Sequence, residues 1–506
     1  MSVPADPMII CGGMGAWISW WVMARIVALQ GGIGVVSGTA LDSVCARVLQ
    51  QGDPGGHVRR AFAELVRLRP SLNEPIQRLL ARFFIEGGKP AGKPFLNMPM
   101  GNWSRVPGRP AGGVVSLEPT LDAQVLTVAS NFAEVWLAKE GHGGKVGINY
   151  LRKIERPLPW GLYGAMLAGV DYVVVGAGSP SELPGMIDRL SRHEDTSLPL
   201  RVYGAGNDNG GFAALVRPRT LVGDAVAPMN RPKFLAIVSS FVLAEALAGN
   251  PQTRPYGFVV EGPEAGGHNA PPGRKSFNAQ GEPTVVYTED DRADIGAIAG
   301  LGLPFWLAGL YGGPERLRGA LSRGAAGIQF GTAAALSAQS GMARELRAQV
   351  LKLVAENKLT VVADPRISPS GFPFKVAQVP GTLSDPAVYA ARKRICDLGH
   401  LQSGYITPEG ELGFRCPAEP VQEFVRKGGK VQNTVGRACL CNGLLATAGL
   451  PQVRTGGYVE PPVVTLGDDL DGVRKMLALL PPGHESYSIG KVMQYIQRGA
   501  AKTASA

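Results

Sequence analysis

"PFWLAGLYGGPERLRGALSRGAAGIQFGTAAALSAQSG", residues 304–341, runs through one pattern twice. An unbroken apolar run, Pro304–Ala308, ends in Gly309, Gly312 and Gly313, and Pro314 opens a helical stretch to Ser322. A second run, Gly327-Ile-Gln-Phe-Gly331, enters a helix through Gly331-Thr332. Apolar residues that run on without alternating suit strands of a parallel sheet covered on both faces. Two successive strand-to-helix turns rich in glycine bring backbone N–H groups and a hydroxyl to helix N-termini, which is a chemistry for anions.

Six further runs share this character: Met8–Ile10, Ile33–Ser37, Val146–Asn149, Tyr172–Val175, Phe234–Ser239 and Gly257–Val260. Helical patterns lie between them, among them Trp160 to Ala168 and Phe241 to Leu247. Eight strand–helix repeats predict an α/β chain folded as a (β/α)8 TIM barrel, with a doubly wound open sheet as the alternative. Residues of about 41–140 and 195–232, the latter holding "GAGNDNGG", read as insertions. The rhythm fades near residue 346, so the expected division is a barrel over 1–345 and a Cys-containing C-terminal extension over 346–506.

The bulk composition agrees with a folded chain. Of 506 residues 45% are hydrophobic and 18% charged, which excludes a disordered protein. The net charge of +10 is spread out, with no run of five basic residues and only local clusters such as Arg392-Lys393-Arg394. A nucleic-acid binder would concentrate that charge, so the expected partner is a small anionic or acyl substrate, with no nucleic acid. Residues 8–24 are largely apolar, but Gly12, Gly13, Gly15 and Arg25 interrupt them short of the roughly 20 residues of a spanning helix. The expectation is a cytoplasmic protein without membrane contact, with Trp17, Trp20 and Trp21 on a buried helix face. A homo-oligomer is compatible with the sequence.

In a barrel, residues just past the strand C-termini form the active site. "EGPEAGGHNAPP", residues 261–272, follows the strand run 257–260 and carries one of only six histidines. Gly266 and Gly267 let backbone approach a flat or anionic ligand, and His268 at that rim exchanges protons near neutrality. A loop-capping histidine is the competing reading. Lys153 and Arg156, past the third strand, suit either an anion site or solvent.

Cys11 and Cys45 read as buried small residues. Cys396, Cys416, Cys439 and Cys441 are confined to the C-terminal region, with none between Cys45 and Cys396. Four thiols suffice for tetrahedral zinc or an iron–sulfur cluster, with His400 as a substitute ligand; four unrelated thiols are the alternative.

The segments "MIICGGMG…ALQGGIG", "VGIN", "EGPEAGGH", "WLAGLYGG" and "IQFGT" resemble the nitronate monooxygenase (2-nitropropane dioxygenase) family, to which the trans-acting enoyl reductases are related. The resemblance covers residues 8 to about 342 outside the insertions, and implies an FMN-binding barrel. It places Met14 and Gly15 against the flavin ring, Asn149 in a hydrogen bond to the cofactor and Gly266 beside the isoalloxazine. Gly309, Gly312, Gln329, Phe330, Gly331 and Thr332 would hold the phosphate and its flank. His268 would face the ring as the base that removes the proton α to a nitro group. Asn269-Ala270-Pro271-Pro272 after the histidine departs from the family pattern, as do the insertions and the long C-terminus. Three functions follow: oxidation of nitronates and nitroalkanes with O2, NAD(P)H-dependent reduction of an enoyl thioester or quinone, and a flavin-free binding subunit.

Overall fold

The computed structural model describes residues 6–98, 103–106, 114–205 and 211–501; most of "GAGNDNGG" lies outside the described residues. Eight parallel strands close into a barrel: β1 Ile9–Cys11, β2 Ile33–Ser37, β3 Lys145–Leu151, β4 Tyr172–Gly176, β5 Lys233–Val238, β6 Gly257–Glu261, β7 Phe305–Ala308 and β8 Gly327–Phe330. Each pairs with its sequence neighbour in the set, and Ile9 opposite Ile328 joins the last strand to the first. That closure excludes the open sheet. All eight runs read from the sequence are barrel strands.

The runs do not alternate because both faces are covered. Ile10, Ile33, Val35, Val174, Leu235 and Val259 fill the barrel interior, with Tyr172 and Trp306. Their neighbours Ile9, Val36, Val173, Phe234, Phe258 and Leu307 face the helices and belong to the larger outer core. A residue and its successor point to opposite faces of a strand, so two apolar environments demand a continuous apolar run.

The two insertions build on one another. The first, between β2 and β3, holds the helices Leu41–Gln50, His57–Leu68, Asn73–Phe83 and Leu121–Lys139. Its strand Val115–Pro119 pairs in parallel with Phe212–Val216 of the second insertion, inside a four-stranded sheet with Trp103–Arg105 and Thr196–Leu200.

The C-terminal region folds back on the barrel. The helix Ile489–Ala501 packs against Pro314–Ser322 and Trp21–Leu29, the helices that follow β7 and β1. It thereby fills the gap that the four-residue helix Thr332–Ala335 leaves after β8. Gln497 Nε2 donates to the Gln30 carbonyl at 2.7 Å, and a Cβ on Gly499 would lie 2.3 Å from the Pro314 carbonyl oxygen. Leu466, Val473, Met476, Val492 and Ile496 share the outer core with the barrel helices.

The tryptophans differ from the expected helix face. Only Trp21 lies in the helix Trp21–Leu29; Trp17 and Trp20 precede it, and the three stack edge-on with centroids 5.0 and 5.5 Å apart. Their polar edges explain the arrangement. Trp17 Nε1 and the Trp21 backbone N–H both donate to Glu134, at 2.7 and 2.8 Å, which needs the chain to turn before the helix starts. Among the described residues no helix is long and apolar enough to cross a membrane.

Candidate active site

A cavity of about 210 Å³ opens at the C-terminal ends of the barrel strands. Met14, Gly15, Asn149, Gly266, His268, Gly309, Gly312, Gln329, Phe330, Gly331 and Thr332 all line it, so the eleven residues expected there come together. They arrive on β1, β3, β6, β7 and β8 or the turns that follow, which is why residues as far apart in sequence as Met14 and Thr332 converge.

The walls are set by close packing. A Cβ on Gly13 would lie 2.3 Å from the Asn149 Cβ, so only glycine lets the first loop cross β3. Asn149 Nδ2 donates to the Val174 carbonyl at 2.9 Å, which fixes the amide and leaves Oδ1 without a donor among the described residues. Met14 is held through its backbone N–H, which donates to Ser19 Oγ at 2.8 Å. At Gly331 the nearest atom to an added Cβ is Met14 Sδ, 3.6 Å away, so this position faces open space.

Among the described residues the backbone N–H groups of Gly266, Gly309 and Gly331 have no protein acceptor. Gly266 is exposed and Gly309 and Gly331 are half-buried, so these three N–H groups are open to acceptors of a ligand in the cavity. A flat flavin ring with carbonyl and ring-nitrogen acceptors fits that end. The phosphate end is different. Asp469 Oδ2 accepts from the Gly312 N–H at 3.0 Å, and Thr332 Oγ1 accepts from the Gly467 N–H at 3.1 Å. Two of the six residues expected at the phosphate, Gly312 and Thr332, are thus engaged by the C-terminal segment, while the Gly309 and Gly331 N–H groups stay open.

His268 sits on a loop clipped to the C-terminal region. Lys375 N donates to the Gly267 carbonyl at 2.8 Å and Asn269 N to the Pro373 carbonyl at 3.0 Å. Asn269 Nδ2 also donates to the Pro263 and Ala265 carbonyls, at 3.2 Å each, so the residue that departs from the family pattern ties the loop to itself. The imidazole packs on Phe374 at 4.7 Å and its Nε2 shares a 2.6 Å hydrogen bond with Ser368 Oγ. Burial, reinforced by the Lys153 charge, holds its pKa well below that of an ordinary histidine. His268 is therefore a neutral imidazole.

The rim cations are not at the rim. Lys153 is buried over the Phe372 ring at 4.4 Å. Arg156 is also buried and donates to the Gly399 carbonyl and to Gln402 Oε1.

Cys11 and Cys45 are buried, as expected, and burial pushes the Cys11 thiol up to about 12. The structure gives no support to the zinc or iron–sulfur site expected at Cys396, Cys416, Cys439 and Cys441. Among the described residues no group of three or more His, Cys, Asp or Glu side chains is placed to hold a metal ion. The thiols neighbour in pairs, Cys396 with Cys416 and Cys439 with Cys441, and the two pairs lie close enough that Cys439 acts on Cys416 and Cys396 on Cys441. The positive charge beside Cys396, Cys416 and Cys441 is the Arg156 guanidinium. His400 turns elsewhere, its Nε2 3.1 Å from Ser43 Oγ. Cys441 instead lines the cavity, with Phe374, Leu401, Leu440 and Leu444 as an apolar roof. Nothing in the spacing of these late residues announces that role, because they reach the cavity through tertiary folding alone.

No family model matches the sequence, and no curated protein matches it. Solved structures do. FabK from Thermotoga maritima aligns over 99% of this chain and 94% of its own at 14% identity, with a TM-score of 0.45. Nitroalkane oxidase from Streptomyces ansochromogenes aligns over 99% and 97%, at 14% identity and 0.41. The enoyl reductase domain of MlnA from Bacillus amyloliquefaciens aligns over 98% and 94%, at 10% identity and 0.46. Two of the three are oxidoreductases by name. Likeness this shallow says nothing about the activity of this chain, and the barrel rests on its own strand pairing.

Proposed function

We propose that this chain is an FMN-dependent oxidoreductase that oxidises nitronates and nitroalkanes with O2 in the manner of a nitronate monooxygenase. The observation that carries the reading is the cavity wall on which Gly266, Gly309 and Gly331 present backbone N–H groups without acceptors among the described residues, beside His268. FMN bound there would supply a ring that takes up electrons and passes them on. Gly266 would donate to the ring, Asn149 Oδ1 would accept from it, and Met14 and Gly15 would pack against it. Gly309, Gly312, Gln329, Phe330, Gly331 and Thr332 would hold the phosphate and its flank, once the Asp469 carboxylate yields Gly312. His268, neutral and tied at Nε2, keeps Nδ1 for the polar group of a small anionic substrate.

The apolar roof favours a second reading. Phe374, Leu401, Leu440 and Leu444 would accept an acyl chain, which suits an NAD(P)H-dependent reductase of an enoyl thioester or quinone. Anaerobic titration of the purified protein with NADPH, and then with a nitronate, separates the two. Bleaching of the visible flavin band by the nitronate alone supports the monooxygenase; bleaching by NADPH supports the reductase. A protein that neither retains nor takes up flavin removes both.

A further inference from the structure

Three carboxylates line the cavity, and two of them are spoken for. Glu264 is paired with Arg292, and Asp469 accepts from the backbone N–H groups of Gly312 and Gly472. Glu261, at the end of β6, receives no hydrogen bond from any described residue. Just outside the wall the Lys153 ammonium is buried and likewise has no hydrogen-bond partner among the described residues. Lys153 is the charge that acts on both Glu261 and His268.

A buried ammonium without an acceptor is costly alone, and a half-buried carboxylate without a donor is costly to a lesser degree. Their opposite charges offset part of that cost while leaving both free of fixed hydrogen bonds. Burial pushes Glu261 up to about 7 and Lys153 down to about 7, and each opposes the shift of the other. The remaining charges nearby are committed: Arg201, which also acts on Lys153, is paired with Glu155, and Lys375 with Asp468. His268 cannot store a proton near neutrality, since burial and Lys153 both oppose its charged form.

We propose that Glu261 is a catalytic residue that exchanges a proton with the substrate, and that Lys153 is the positioning residue that sets its charge from outside the cavity. The proposal deepens the function above and rests on the same cavity holding substrate. In the step itself the Cα–H bond of a nitroalkane breaks, an O–H bond forms on the Glu261 carboxylate, and the electron pair stays on the substrate as the nitronate. No oxidant enters that step. In the reductive reading the same O–H returns its proton to a substrate carbanion.

The test is α-proton exchange of nitroethane in D2O, followed anaerobically by NMR over a pH series and corrected for buffer. Wild type should exchange faster than buffer, with a rate that rises with pH through about 7, where Glu261 becomes the carboxylate. Glu261→Gln should lose at least about tenfold, and Glu261→Asp should keep part of the exchange, so a folded active variant remains to be read. Lys153→Met removes the cation that favours the carboxylate and should move the profile to higher pH; Lys153→Arg should restore it. Wild-type exchange no faster than buffer, Glu261→Gln exchanging at the wild-type rate, or an unmoved Lys153→Met profile would each overturn the proposal. Because exchange needs no electron transfer, a protein that exchanges protons but never reduces a flavin would contradict the proposed function alone.

Discussion

The Asp469 carboxylate lies 3.0 Å from the Gly312 backbone nitrogen, so an anion of the C-terminal segment occupies one of the donors proposed here for a phosphate. Asp469 also caps the helix Leu470–Ala478 through the Gly472 N–H. A helix start and a strand-to-helix turn thus share one negative charge, where a cofactor phosphate would bring another.

Asp469→Asn should therefore tighten FMN. Asparagine caps a helix about as well as aspartate, so the fold is kept while the repulsion goes. The expected gain is on the order of tenfold in Kd, or about 1.4 kcal/mol, read by quenching of FMN fluorescence on titration with protein. Unchanged or weaker binding would mean the phosphate lies elsewhere.

Gly331 and Gly13 should respond in opposite ways. Gly331 faces open space apart from Met14 Sδ at 3.6 Å, so Gly331→Val should keep the melting temperature while crowding out flavin. Gly13 packs on Asn149, and a Cβ there would lie 2.3 Å from the Asn149 Cβ, so Gly13→Ala should destabilise the protein by about 1–3 kcal/mol. Thermal melts with and without added FMN distinguish the two.

How much of this was legible follows from the kind of signal each part leaves. Val173-Val-Val175 or Phe305-Trp-Leu307 announces a strand buried on both faces, because two apolar environments leave no polar position. Glycine turns at Gly266, Gly309 and Gly331 are local and readable for the same reason. Glu261 stands inside the quoted "EGPEAGGH", but a lone carboxylate carries no pattern; its isolation shows only once Lys153 is seen buried beside it. Phe374, Leu401 and Leu444 reach the cavity because the chain folds back after β8, and apolar residues in loops look alike wherever they end up. Thiol spacing does not encode whether Cys396, Cys416, Cys439 and Cys441 meet around one point, and among the described residues no such group is placed to hold a metal ion.

Glu134 should make stability depend on pH. Burial raises its pKa from the ordinary 4.5 to about 7, against the lowering effect of the Trp17 and Trp21 N–H groups. The folded state therefore holds this proton more tightly than the unfolded chain. That contribution is fully present below about 4.5 and is lost as pH rises through about 7. Relative to Glu134→Gln, which has no proton to lose, wild type should lose up to about 3 kcal/mol across that window in urea melts. A constant difference would show that the carboxyl is no harder to ionise when folded.

Gly499 tests the last helix as the partner of the barrel. Its Cβ would lie 2.3 Å from the Pro314 carbonyl oxygen, which is backbone and cannot step aside. Gly499→Val should push the helix Ile489–Ala501 off its neighbours and lower stability by about 2–3 kcal/mol. Faster hydrogen–deuterium exchange in the helices Pro314–Ser322 and Trp21–Leu29, which it covers, should accompany the loss. Unchanged protection there would mean the terminal helix is not part of the barrel core.

The most direct measurement is equilibrium titration of FMN with the flavin-stripped wild-type protein, beside Gly331→Val at the same concentration. A flavin cavity at the barrel mouth predicts saturable binding at one FMN per chain in the wild type and its loss in Gly331→Val, with both proteins equally folded by circular dichroism. Equal binding by the two, or none by the wild type, would contradict it.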